Sequence, residues 1–147
     1  MEIRQQLEKQ TAARHRAKAR QSLSAFRLRH HADFQRAYQS SRKRQSASMS
    51  WFLALNDTFD SAPRVGLTVG KVIGKAHERN RIKRRMREVL RRHLDRLPLG
   101  CDLILHPRRA VLAAGFAQLD AEMVRLLEQA ASEAARMRSP QPVRQLP

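Results

Sequence analysis

Residues 64–97 read RVGLTVGKVIGKAHERNRIKRRMREVLRRHLDRL, and two periodicities meet in that stretch. Val65, Leu67 and Val69 alternate with Gly66 and Thr68, the period of a strand with one buried face. GKVIGKA, 70–76, is a loop with two glycines. Beyond it Ile82, Met86, Val89, Leu90, Leu94 and Leu97 recur at helical spacing and form one apolar stripe. Pro98, Leu99 and Gly100 stop that helix, and CDLILH, 101–106, is a short apolar strand. Strand, helix, strand is a crossover. The expected class is α+β, a small αβ sandwich whose sheet is covered by helices on one side.

The flanking sequence fills in the order. In HHADFQRAYQS, 30–40, Phe34, Ala37 and Tyr38 share the face of a short helix. SRKRQSAS, 41–48, is polar, and a further strand between Arg42 and Met49 has no clear placement. MSWFLAL, 49–55, is a strand with Met49, Trp51, Leu53 and Leu55 on one face and Ser50, Phe52 and Ala54 on the other. NDTFDSAP, 56–63, is turn chemistry, and HPRRAVLAAG, 106–115, is read as a loop. From Phe116 to Arg136 a last helix carries Leu119, Met123, Leu126, Leu127 and Ala130 on one side. The expected order is α-β-β-β-α-β-α. Residues 25–136 form one domain, 1–24 a basic mobile arm, and 137–147 a disordered Pro-rich tail.

The charge balance says what such a domain meets. The 147 residues carry a formal net charge of +17, with a sequence pI near 11.7. That excess repels itself in the compact state, and a polyanion relieves it. Nucleic acid is the first candidate and an anionic membrane surface the second. One cysteine, Cys101, allows no internal disulfide and fits a reducing cytoplasm, where it is expected as a buried small hydrophobe. No apolar run approaches the roughly 18 residues of a membrane span. The first residues lack an apolar core, so they are not read as a secretory signal, and Glu2 and Glu8 argue against a mitochondrial presequence.

The basic helix is where the charge collects. At about 100° per residue, Asn80, Arg84, Arg87 and Arg91 lie opposite the apolar stripe, flanked by Arg81, Arg85 and Arg92 on one side and Lys83 on the other. Like charges at i and i+4 oppose an isolated helix, whereas arginine forks pair bidentately with phosphate. Solvated faces mix signs; here only Glu88 and Asp95 interrupt the positive charge. Lys71 and Lys75 precede the helix, and Arg79, Asn80 and Arg81 open it, where backbone N–H groups favour phosphate oxygens.

KVIGKAHERNRIKRRMRE, 71–88, resembles the signature of the bacterial ribonuclease P protein component, with Arg79, Asn80 and Arg81 on its Arg-Asn-Arg motif. RVGLTVGK upstream resembles the family's strand and first loop lysine, and LRHHADFQRAY its N-terminal helix, with Phe34 and Tyr38 at the two aromatic positions. The likeness spans about residues 26 to 130. Gly70, Lys71 and Val72 stand where the family usually has Ser-Lys-Lys, and the glycine usual after the first helix is replaced near Ser40 or Ser41.

The resemblance implies a ribosomal-protein-S5-domain-2-like fold with a left-handed crossover, where pattern alone predicts the common right-handed one. It implies a subunit of an RNA-based endonuclease that removes the 5′ leader of precursor tRNA. The RNA carries the catalytic magnesium, and the protein holds no cofactor of its own. Lys71, Lys75, Arg79, Asn80, Arg81, Lys83, Arg84, Arg87 and Arg91 would face ribonuclease P RNA. Phe34, Tyr38, Trp51 and Arg64 would line a cleft for the single-stranded leader, made by the open sheet face and the first helix. Since Trp51 and Phe52 point to opposite faces, at most one of them lines it. The expected protein is cytoplasmic, not membrane-bound, and monomeric without RNA.

Three other readings stand beside this one. A ribosomal or ribosome-assembly protein would share the composition but not the ordered Arg-Asn-Arg context. A protein-only nuclease would need a metal or catalytic cluster; His30 and His31 are adjacent and His77 and His93 lie far apart, a poor ligand set. A membrane-surface protein would need large apolar residues beside the basic face, and here those are expected in the core.

Overall fold

The computed structural model describes residues 23–56 and 62–138. The expected arm lies outside the described residues up to position 22, and the expected tail from position 139 on. A 3-10 turn, Leu23–Phe26, leads into α1 (His31–Ser40). Then follow β1 (Arg44–Gln45), β2 (Met49–Leu55), β3 (Arg64–Leu67), α2 (Ala76–Arg92), β4 (Cys101–Pro107), α3 (Ala110–Ala113) and α4 (Phe116–Arg138).

The sheet runs β1-β2-β4-β3. β4 lies between β2, antiparallel to it, and β3, parallel to it. A strand in that position is covered on both faces, which is why CDLILHP is nearly continuous in apolar residues and buried along its length. The parallel neighbours β3 and β4 are joined through α2, the crossover expected from residues 64–105. β1 is the strand without a clear placement: two residues pairing Arg44 with Trp51 and Gln45 with Ser50.

One face of the sheet carries the larger core. Met49, Trp51 and Leu53 from β2, Leu103 and Leu105 from β4 and Val65 from β3 pack with α2 and α4. From α2, Ile82, Met86, Val89 and Leu90 are at most 2% exposed. Burial of each stabilises the fold by about 1.5–3 kcal/mol. The like-charge pairs Arg79–Lys83, Arg81–Arg85, Lys83–Arg87 and Arg87–Arg91 cost only about 0.2–0.5 kcal/mol each, so the stripe outweighs them. α2 ends at His93, whose Nε2 lies 2.7 Å from Asp120 Oδ1 on α4. Leu94 and Leu97 continue the stripe as a 3-10 turn rather than as α-helix. Gly100 then turns into β4 at φ 66°, a conformation glycine adopts freely.

The second face is smaller. α1 lies on it through Ala37, with Phe34, Tyr38 and Phe52 packed around Ala54, Ile104 and Leu28. Helices therefore cover one face fully and the other in part. Two buried carboxylates of α4 also hold the strands: Glu122 accepts from Ser46 Oγ and the Ser48 amide, and Glu133 pairs with Arg44. Cys101 is buried, and burial pushes its thiol pKa up. Residues 110–113, read as loop, form the single turn α3, and α4 runs two residues past its expected end.

Candidate RNA interface

The loop before α2 is fastened from outside. The Glu78 carboxylate accepts from the Lys75 amide at 3.1 Å and so reaches back to the helix N-terminus. Arg109 lies 2.8 Å from the same carboxylate and donates to the Ile73 carbonyl at 3.1 Å. The Arg109 guanidinium is the first cause, and the Lys75 amide the second, that holds Glu78 below the usual carboxylate range. Lys71 and Lys75 are thus exposed on a loop whose path is set by other residues.

On the helix, Asn80, Arg81, Arg84, Arg87 and Arg91 are exposed, and Arg79 and Lys83 are half-buried. Arg91 lies 3.5 Å from Glu88. Among the described residues, Arg79, Arg81, Lys83, Arg84 and Arg87 have no carboxylate partner. Lys83, Arg87 and Arg91 also line an open groove of about 960 Å³, with Arg27 and Arg29 across it. Arg85 differs from its neighbours. It donates to the carbonyls of Val111 (2.6 Å), Leu112 (3.2 Å) and Ala114 (2.6 Å), and so caps α3. Helical phase puts Arg85 on the same flank as the exposed Arg81 and cannot separate those two, because α3 lies far along the chain.

On the second sheet face, Tyr38 and Phe52 meet edge to face with centroids 5.0 Å apart, and Phe34 lies 6.4 Å from Tyr38. His106 joins them, its Nε2 2.7 Å from Tyr38 Oη. Burial and nearby Lys43 hold the imidazole pKa below its ordinary value. Burial raises that of Tyr38, against a lowering hydrogen bond from Thr68. His106 is the residue that sequence reading missed. Its signal is the strand alternation that puts it in line with Asp102 and Ile104.

One expected cleft residue is corrected, and a second is found with partners of its own. Trp51 is 1% exposed and belongs to the larger core, so it lines no cleft; Phe52, its neighbour in sequence, reaches the α1 side. Arg64 stands at the edge of that face but is already engaged. Its Nε and Nη2 each lie 2.8 Å from Asp102, and its Nη1 lies 3.1 Å from Asp33. Asp102 foremost, with help from Asp33, raises its pKa above the ordinary value. Arg64 therefore ties α1 to β4 instead of offering a free cation.

The family model described as Ribonuclease P matches residues 24–131. The chain is 35% identical over 104 residues to the ribonuclease P protein component of Acidothermus cellulolyticus, covering 71% of this chain and 87% of that one. To that of Chloroflexus aggregans it is 40% identical over 107 residues, covering 72% and 78%. Its fold is similar to the RNase P protein from Thermotoga maritima, with a TM-score of 0.60 at 28% identity over 70% of this chain and 96% of that one. A Staphylococcus aureus RNase P protein mutant with defective mRNA degradation activity gives a TM-score of 0.63 at 30% identity, covering 72% and 88%. Motif, fold and relatives agree: the chain belongs to the ribonuclease P protein component family, the protein subunit of the ribonuclease P ribonucleoprotein, a tRNA-processing endonuclease whose partner is ribonuclease P RNA.

Proposed function

We propose that this subunit meets two RNAs with two surfaces. Lys71, Lys75, Arg79, Asn80, Arg81, Lys83, Arg84, Arg87 and Arg91 bind the phosphates of ribonuclease P RNA. The face between α1 and the sheet, with Phe34, Tyr38 and Phe52, holds the single-stranded 5′ leader of precursor tRNA. The observation that carries the reading is the run of exposed cations along α2 without carboxylate partners among the described residues. Arginine forks of this kind match phosphate oxygens, and aromatic rings in a positive setting hold single strands with little sequence demand.

Hydrolysis belongs to the RNA on this reading, with magnesium supplying the Lewis acid that activates water there. Among the described residues no three His, Cys, Asp or Glu side chains gather as such a site needs: Asp33 and Asp102 sit on Arg64, and Glu122 is taken by Ser46 and Ser48. The protein then acts as a cytoplasmic cofactor subunit, monomeric until it meets RNA.

The test mixes the protein with a bacterial ribonuclease P RNA and a precursor tRNA at low magnesium and follows leader release. Cleavage that requires the RNA and rises with the protein is expected. RNA binding without any rise in cleavage would overturn the assisting role.

A further inference from the structure

Strand register places Ser50, Phe52 and Ala54 of β2 beside His106, Ile104 and Asp102 of β4 on the second sheet face. Two of the three polar residues in this set are already held. Asp102 is bound by Arg64, and Ser50 Oγ accepts from Arg108 at 3.2 Å. His106 makes one side-chain hydrogen bond, with Tyr38 Oη, and around it three rings close. The imidazole lies 5.7 Å from Tyr38 at 76° and 5.4 Å from Phe52 at 60°.

The direction of that hydrogen bond follows from its length. At 2.7 Å the Tyr38 Oη–His106 Nε2 contact is shorter than the usual N–H···O bond and suits the phenol O–H as donor. Tyr38 then gives its own proton to His106. A neutral imidazole that accepts at Nε2 carries its single N–H at Nδ1. Among the described residues Nδ1 has no protein partner, and it is not sealed off from solvent. Stacking tolerates every base, whereas a fixed donor beside a stacking site discriminates, because the wrong base leaves it unpaired.

We propose that His106 is a specificity-determining residue of the leader cleft: paired with Tyr38, it offers one fixed N–H donor to the acceptor edge of a leader base held by the Tyr38 and Phe52 rings. The inference rests on the reading of this face as the leader site.

The experiment uses the full chain with ribonuclease P RNA and precursor tRNAs varied one leader nucleotide at a time. The unaltered protein is expected to favour one base at one position by about fivefold, the worth of one net hydrogen bond. His106→Leu and Tyr38→Phe each flatten that preference, and the double variant flattens it no further, since both remove the same bond. His106→Gln, which keeps an acceptor and an N–H, retains part of it. An absent preference in the unaltered protein, or one that survives in folded His106→Leu, overturns the proposal; Tyr38→Phe makes the same test without altering β4. Phe52→Ala separates the two levels. Unchanged leader affinity there rejects the cleft, while a normal loss combined with an unmoved base preference in His106→Leu rejects the His106 role alone.

Discussion

The ring of Phe34 lies against Gly66: a Cβ on that glycine would stand 2.6 Å from both Cε1 and Cζ of the ring. α1 is seated on β3 through this contact, so the missing side chain of Gly66 sets how closely the helix approaches the sheet. Gly66→Ala should push the ring outward and destabilise the protein by about 1–3 kcal/mol, the usual effect of overpacking. Thermal unfolding checks it. Pairing the change with Phe34→Leu should recover part of the loss, and strict additivity of the two would mean that the contact does not matter.

Trp51 and Phe52 should separate fold from binding. Trp51→Ala opens a cavity in the larger core and should cost about 3–5 kcal/mol. Phe52→Ala should cost less stability, yet weaken leader binding by about 1–3 kcal/mol if a base stacks there. Denaturant melts and leader titrations on both variants measure the split.

Arg84 and Arg85 are adjacent and should behave oppositely. Arg84→Ala should leave the melt within about 0.5 kcal/mol and lower the salt slope of RNA binding by about one phosphate. Arg85→Ala uncaps three carbonyls and should cost about 1–3 kcal/mol with the slope unchanged. Equal slope changes in both variants would place Arg85 on the RNA after all.

The lowered pKa of His106 carries a pH signature. Well above the unfolded value the imidazole is uncharged both folded and unfolded, so it contributes nothing to the pH dependence there. As pH falls below the unfolded value of about 6.5, the unfolded chain takes up the proton first and stability drops. The drop ends once pH passes the lower folded value. His106→Leu should therefore lose less stability than the unaltered protein between pH 7 and pH 5, measured by denaturant melts at each pH.

Much of this was visible in the one-dimensional pattern. Alternation at 49–55 and a short apolar run at 101–106 marked the two long strands, and the spacing of Ile82, Met86, Val89 and Leu90 marked the buried side of α2. These signals are local, a matter of which residues repeat on one face. β1 was not readable, because two residues hold no period. Nor were the roles of Trp51, Arg64, Arg85 and His106, which depend on what stands opposite: the larger core, Asp102 and Asp33, the α3 carbonyls, and Tyr38. Alternation assigned Trp51 to a face correctly but could not say which face the two long helices would take. The arginines that stay exposed follow from helical phase; the arginine that turns inward does not.

The buried carboxylates give the two kinds of charge pairing in this protein different tolerance to salt. Asp33, Asp102, Glu122 and Glu133 are each at most 8% exposed and face their partners inside the fold, where ions screen them little. The arginines of α2 face outward, where a bound polyphosphate must compete with every ion in solution. Ionic strength thus acts as a release lever that leaves the scaffold standing. On the proposed reading, the same salt that would strip RNA from the helix also quiets the mutual repulsion of a chain with net charge +17, so the subunit would come away with its fold intact.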